Sequence, residues 1–151
     1  MPSFKYKQKK LFVENTSVLN LAKRNPTPFY LYSGLQLKEN YLNFVKNFKN
    51  INPLICFSVK SNSNPFILKF LGKLGSGADV VSSGELLKAL KSGIKPNKIV
   101  FSGVGKSEEE LKLAIKKKIL LINIESESEA LLVNKISSKM KKKTSIGLRL
   151  N

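Results

Sequence analysis

The fold is decided by Pro53-Leu54-Ile55-Cys56-Phe57-Ser58-Val59-Lys60-Ser61-Asn62-Ser63-Asn64-Pro65. An apolar run of strand length, Leu54–Val59, stops at a lysine. A short polar segment follows, and Asn64-Pro65 then offers a helix N-cap with proline at the first helical position. The apolar residues beyond it, Phe66, Leu68, Phe70 and Leu71, fall at helical spacing. This is one strand–helix unit, and it repeats. Further apolar runs lie at Ala78–Val81, Ile99–Phe101, Ile119–Ile124 and Ser145–Leu150, so successive runs start 20 to 26 residues apart. Runs that are largely apolar and separated by one helix each read as parallel strands.

The helix starts are written in the sequence. Ser82-Ser83-Gly84-Glu85, Ser107-Glu108-Glu109-Glu110 and Ser126-Glu127-Ser128-Glu129 each place a glutamate three residues after a serine, as a capping box requires. Leu86, Leu87 and Leu90, then Leu111, Leu113, Ala114 and Ile115, then Leu131, Leu132 and Ile136 supply the helix cores, and Gly72 and Gly93 the stops. Ahead of Pro53 the pattern changes. Phe4–Lys7 and Lys10–Val13 read as a hairpin, Ser17–Arg24 as a short helix and Thr27–Tyr32 as a strand. Leu35–Phe48 reads as a helix burying Leu35, Leu37, Tyr41, Phe44, Val45 and Phe48. A succession of βα units makes either an open doubly wound sheet or the start of a barrel. The 151 residues are too few for a closed (β/α)8 barrel of about 250. The last run has no helix after it, so the simplest expectation is the N-terminal part of something longer.

Composition removes several chemistries. There is no histidine and one cysteine, Cys56, which excludes histidine-based triads, multi-cysteine metal sites and an internal disulfide framework. The formal net charge is +17, yet all but two of the 27 cationic residues are lysine, the exceptions being Arg24 and Arg149. Base reading favours arginine, and the lysine runs 116–118 and 141–143 fall at helix C-termini, where the helix dipole favours cations. The charge is read as a solvated surface without nucleic-acid binding. No stretch approaches the roughly 18 apolar residues of a membrane span, and the N-terminus lacks a signal-peptide core, so a cytoplasmic protein with Cys56 reduced is expected.

Three segments resemble chemistry. Gly103-Val104-Gly105-Lys106-Ser107 follows a strand and opens a helix, as a phosphate-binding loop does, but the position needing the first glycine is Val100. A tight turn with a Ser107 cap is the better account. Gly75-Ser76-Gly77-Ala78-Asp79 precedes a strand instead of following one, opposite to a dinucleotide fingerprint. Lys60 ends a strand at the face where barrel enzymes gather catalytic groups. Partial desolvation there would lower its pKa and suit imine formation with a carbonyl. On these residues alone, a lysine that merely ends a strand is the simpler reading.

Phe57–Asn62, however, resembles the (Y/F)-(A/S)-V-K-(A/S)-N signature of the fold-type III pyridoxal-phosphate decarboxylases, and five more blocks resemble that family, one before it and four after it in order. Gly77–Leu86 is similar to the family's G-A-D-V-V-S-x-G-E-L, and Thr27–Tyr32 to its T-P-x-Y-V-Y. Ile99–Ser107 resembles I-V-F-S-G-V-G-K-(S/T), a segment more particular to the diaminopimelate branch. Ile122–Ser126 and Leu148–Asn151 resemble I-N-(V/I)-E-S and L-R-(V/I)-N.

The resemblance implies an α/β fold, the first five or so strands of an eight-stranded pyridoxal-phosphate-binding TIM-like barrel over residues 34–151. Residues 1–33 would form an N-terminal segment that joins a C-terminal β-domain outside this chain. It implies pyridoxal 5'-phosphate as cofactor, Lys60 as the Schiff-base lysine, Asp79 near the imine, Arg149 reaching towards the cofactor, and Glu85 near the lysine unless it serves only its capping box. It implies decarboxylation of meso-2,6-diaminopimelate to L-lysine, a small-molecule amino-acid substrate, and a homodimer in the full-length form. Ornithine, arginine or carboxynorspermidine decarboxylases, amino-acid racemases, and a truncated product without activity are the alternatives. The family's ring-stacking histidine, glycine-rich phosphate loop and substrate-carboxylate arginine have no match in these residues.

Overall fold

A computed structural model describes residues 3–48 and 50–150. The chain divides into two compact units, Met1–Pro53 and Leu54–Asn151.

In the first unit, β1 (Phe4–Lys7), β2 (Lys10–Val13) and β3 (Thr16–Ser17) form an antiparallel sheet. Gln8 and Lys9 turn the hairpin, both at positive φ, as a two-residue connection between twisted strands requires. Helix α1 (Val18–Arg24) is capped by the Ser17 hydroxyl and helix α2 (Gly34–Asn47) by that of Ser33. The Glu14 carboxylate accepts from the Ser33 hydroxyl at 2.7 Å and the Leu35 N–H at 3.0 Å, tying the end of the hairpin to the start of α2. Those bonds, the Leu35 N–H first, hold the Glu14 carboxyl below its ordinary pKa.

Two expectations fail in this unit. Thr27–Tyr32 is not a strand: no described strand pairs with it, and Tyr30 is 90% exposed. Helix α2 forms where expected but buries none of its apolar residues. Leu35, Phe44 and Phe48 are exposed, and Leu37, Tyr41 and Val45 are half-buried. Periodicity predicts which face is apolar; it does not supply what covers that face.

The second unit is built as the repeats require. Strands β4 (Cys56–Ser58), β5 (Gly77–Val80), β6 (Ile99–Phe101), β7 (Leu121–Ile124) and β8 (Ile146–Leu148) lie side by side in sequence order, all parallel. Helices α3 (Pro65–Lys73), α4 (Ser83–Lys91), α5 (Glu108–Lys117) and α6 (Glu127–Lys139) connect them. Successive strand residues point to opposite faces. Ala78, Val80, Ile99, Phe101, Ile122 and Ile124 are buried against Leu68, Leu86, Leu111, Ile115, Val133 and Ile136 of the helices. The alternate residues, Ser58, Asp79, Val100, Asn123 and Gly147, stay half-buried on the other face. The five parallel strands fit the N-terminal part of a barrel, with helices outside and the small polar face inside.

The helix stops and starts differ from the sequence reading in detail. Gly93, at φ +89°, ends α4 as expected, but Gly72 lies inside α3, and the left-handed position after α3 is Gly75 at φ +105°. Only Ser107–Glu110 closes both halves of a capping box. At Ser82 and Ser126 the hydroxyl half forms, but the glutamates accept the N–H one residue earlier, Val81 at 2.9 Å and Glu125 at 2.8 Å. Ser82 and Ser126 share φ −156°, whereas Ser107 has φ −70°; this rotation brings a different N–H to the carboxylate.

Candidate active site

One group of polar side chains of the second unit lies at the C-terminal ends of its strands. Past Ser58 the chain makes one 3-10 turn, Val59–Ser61. The Ser61 hydroxyl closes it by donating to the Ser58 carbonyl at 2.7 Å, and the Asn62 N–H donates to that of Val59 at 3.1 Å. The turn buries Val59 completely and leaves Lys60 exposed. The expected partial enclosure of the lysine is therefore not met in this chain: Lys60 lies in the turn directly after the strand and is exposed.

Asp79 lies beside Ser58 in the parallel register. Its carboxylate accepts from the Ser102 hydroxyl at 2.5 Å and from the Ser58 hydroxyl at 3.5 Å. The Asn123 amide donates to the Ser102 hydroxyl at 2.9 Å, so one line of hydrogen bonds crosses from β4 to β7. The line continues in packing to β8. A Cβ on Gly147 would stand 2.6 Å from Asn123 Oδ1, so only glycine leaves the amide its place. Cys56, read as core, is half-buried on this face. Burial pushes its thiol pKa up, and the charge of Asp79 pushes it the same way.

A second group sits alongside. The Glu125 carboxylate, 8% exposed, accepts from the Gly103 N–H at 3.1 Å and from Arg149 Nη1 at 3.5 Å. Arg149 follows β8, and its side chain is 56% exposed. Glu85 is spent on the Val81 N–H, in a capping role. Asn151, which closes the Leu148–Asn151 block, lies outside the described residues. The two glycine segments behave as structure. Gly103 and Gly105 turn the chain at positive φ into the Ser107 cap, and Gly77 is packed between Cys56 and the carbonyl of Lys98.

The structure thus brings Asp79 and Arg149 to the strand ends through partners the sequence reading passed over: Ser58, Ser102, Asn123 and Glu125. A signal for two of these, Ser58 and Asn123, was present, in the same pattern that marks Asp79. Phe57-Ser58-Val59, Ala78-Asp79-Val80 and Ile122-Asn123-Ile124 each set one polar residue between two apolar ones near a strand's end. Alternation puts those residues on one face. Chemically, the rim offers an amine, a hydrogen-bonded carboxylate and a guanidinium. These can form an imine, stabilise a neighbouring positive charge and bind an anion.

Residues 35–151 match the family described as pyridoxal-dependent decarboxylase, pyridoxal binding domain. The diaminopimelate decarboxylase of Aquifex aeolicus is 45% identical over 150 residues, 99% of this chain and 35% of that protein. That of Helicobacter pylori strain J99 is 50% identical over 125 residues, 83% of this chain and 31% of that one. Among solved structures, the diaminopimelate decarboxylase of M. jannaschii in complex with L-lysine superposes with a TM-score of 0.94 at 33% identity, over 97% of this chain and 35% of that one. The lysine decarboxylase of Selenomonas ruminantium superposes at 0.79 with 26% identity, over 99% and 36%. The chain spans about a third of the length of the curated relatives it matches. With its five parallel strands in order and a family match from residue 35 to the end, the chain belongs to the pyridoxal-dependent decarboxylases, in their pyridoxal-binding domain.

Proposed function

We propose that this chain is the lysine-bearing part of an enzyme that decarboxylates meso-2,6-diaminopimelate to L-lysine with pyridoxal 5'-phosphate. The observation that carries the reading is the polar row at the strand ends, Ser58–Asp79–Ser102–Asn123 with Glu125–Arg149, together with an exposed lysine, Lys60, in the turn that follows β4. The 45–50% identity to diaminopimelate decarboxylases favours this substrate over those of related decarboxylases and racemases.

The residues fit the cofactor by their chemistry: a free primary amine, a carboxylate fixed from two sides, and a cation with an exposed face. Bound there, pyridoxal phosphate supplies the electron sink for the carbanion left when carbon dioxide departs. Lys60 supplies the amine that holds its aldehyde carbon. Asp79 accepts from two hydroxyls, which fix its carboxylate at the strand ends, and a carboxylate there favours a protonated nitrogen near it. Arg149, steadied by Glu125, presents donors to an anionic group. Glu85 acts on the loop after β5 through the Val81 N–H, and its part in the cofactor site is to shape that loop.

In the full-length protein, residues 1–33 would join a C-terminal β-domain, residues 34–151 would continue into the rest of the barrel, and two copies would form the working dimer. A small-molecule amino acid is the only partner needed besides a second copy. No described helix is long and apolar enough to cross a membrane, and a cytoplasmic enzyme is the reading we adopt.

The test uses the full-length protein. Pyridoxal phosphate should produce a visible absorbance band, and borohydride should fix the cofactor on Lys60. Lys60→Ala should abolish the band and the release of carbon dioxide from meso-diaminopimelate. Reducible attachment at one site in Lys60→Ala would refute the assignment. Turnover of ornithine, arginine or lysine in preference to diaminopimelate would move the enzyme to a sister activity. No binding at all would leave a product without catalysis.

A further inference from the structure

We propose that Lys106, with Glu129, is a positioning pair that sets the strand-end row in register; the proposal rests on reading that row as the pyridoxal site. Lys106 is the lysine of the Gly103–Ser107 segment, where a phosphate-binding loop would aim it outward. Here it turns inward, and its side chain is 1% exposed and that of Glu129 9%. Its ammonium lies 2.7 Å from the Gly103 carbonyl, 2.6 Å from the Asn123 carbonyl, and 3.1 and 3.2 Å from the two Glu129 oxygens. The ring of Phe101 lies below, its centroid 6.0 Å from the nitrogen.

All three N–H bonds of the ammonium thus have acceptors, which is the condition for keeping a charged group in such a place. The acceptors belong to three separate parts of the chain: the loop after β6, the end of β7 and the first turn of α6. Each adjoins a member of the row. Gly103 follows Ser102 and gives its N–H to Glu125. Asn123 is itself the donor to Ser102. Glu129 receives the N–H of Glu125, the partner of Arg149. One buried cation therefore fixes the backbone beneath Ser102, Asn123 and Glu125, and through them Asp79 and Arg149. An ordinary core residue at 106 would fill the space without holding two carbonyls.

The test separates positioning from folding. In the full-length protein, Lys106→Met with Glu129→Met removes both charges together. Loss of a buried pair as a unit is tolerated far better than loss of one partner. The double variant should melt close to the wild type, yet lose amide-exchange protection at Gly103 and Glu125 in the cofactor-free protein. It should also bind pyridoxal phosphate about tenfold more weakly. Unchanged protection at both amides, or affinity within about twofold, would overturn the proposal. Should the double variant not fold, Glu129→Gln keeps an acceptor for the Glu125 N–H. A threefold or greater loss of affinity, about the least such misplacement should produce, then supports the pair, and unchanged affinity refutes it. If the wild type takes up no pyridoxal phosphate, the proposed function fails, and the exchange comparison, made without cofactor, still decides the pair.

Discussion

Gly77 opens β5 between two neighbours that leave it no room, so Gly77→Ala is a severe test of the sheet. A Cβ there would lie 2.3 Å from the Lys98 carbonyl oxygen and 2.7 Å from Cys56 Sγ. The first obstacle is backbone, and its residue leads directly into β6; the second is a side chain on β4. Relief requires the strand to move away from both partners it is bonded to, and to loosen its N–H bond to the Ile55 carbonyl at 2.9 Å. Overpacking a well-packed site costs about 1–3 kcal/mol, and a clash with backbone belongs at the upper end. About 3 kcal/mol corresponds to a fall in Tm on the order of 5 °C in a full-length protein about three times the length of this chain. Gly84→Ala is the control. Its nearest atom is the Ser82 hydroxyl at 3.8 Å, its φ is ordinary and it sits in helix α4. That variant should be neutral or stabilised by up to about 1 kcal/mol. Thermal melts followed by circular dichroism at 222 nm on the full-length variants give both numbers. A Gly77→Ala protein melting within about 1 °C of the wild type would refute the packing argument.

Three further outcomes are expected. Gly147→Ala should displace the Asn123 amide, break its bond to Ser102 and weaken pyridoxal phosphate binding in the full-length protein with little loss of Tm, read by absorbance titration. Phe101→Ala, at a fully buried position, should cost about 3–5 kcal/mol, measured by urea unfolding. Glu110 accepts the N–H groups of Ser83 and Ser107, and these bonds, that of Ser83 first, hold its carboxyl below the ordinary 4.5. A depressed carboxyl contributes stability that is whole above 4.5 and lost as pH falls through its lower folded value. Glu110→Gln should therefore lower Tm at neutral pH and flatten the Tm profile below about pH 4.5, and an unchanged slope there would contradict it.

The strand order and the helix starts were legible in the sequence because local patterns determine them. Apolar runs and serine–glutamate spacings mark each βα unit, and Asn64-Pro65, Ser82, Ser107 and Ser126 all prove to be caps. What failed depended on neighbours. Thr27–Tyr32 has a strand's composition but pairs with no described strand, and α2 has an apolar stripe of which no residue is fully buried. In the site, Asp79 and Arg149 stood out as charged residues at strand ends, and resemblance gave them roles. Ser58 and Asn123 are marked only by apolar neighbours and Ser102 by nothing local; that the three meet Asp79 in one row follows from the parallel register. The turn and Ser107 cap around Lys106 were legible, but the inward course of its side chain was not. Its direction was set by an acceptor 23 residues away, Glu129.

Strand order that equals chain order bears on how the protein is made. Paired residues are 21 positions apart from β4 to β5, β5 to β6 and β6 to β7, and 24 from β7 to β8. Closing a loop of that length costs roughly 2–3 kcal/mol beyond a constant, and the figure stays the same however long the chain grows. Each unit leaving the ribosome can therefore dock on the one before it without waiting for distant residues. The price is that the newest strand always carries the open edge. Ile146 and Leu148 occupy that edge here, 48% and 73% exposed. At each stage of synthesis a different pair of hydrophobic residues takes that position, so the nascent chain is most vulnerable to chaperone capture or misassociation in the interval before its next strand emerges.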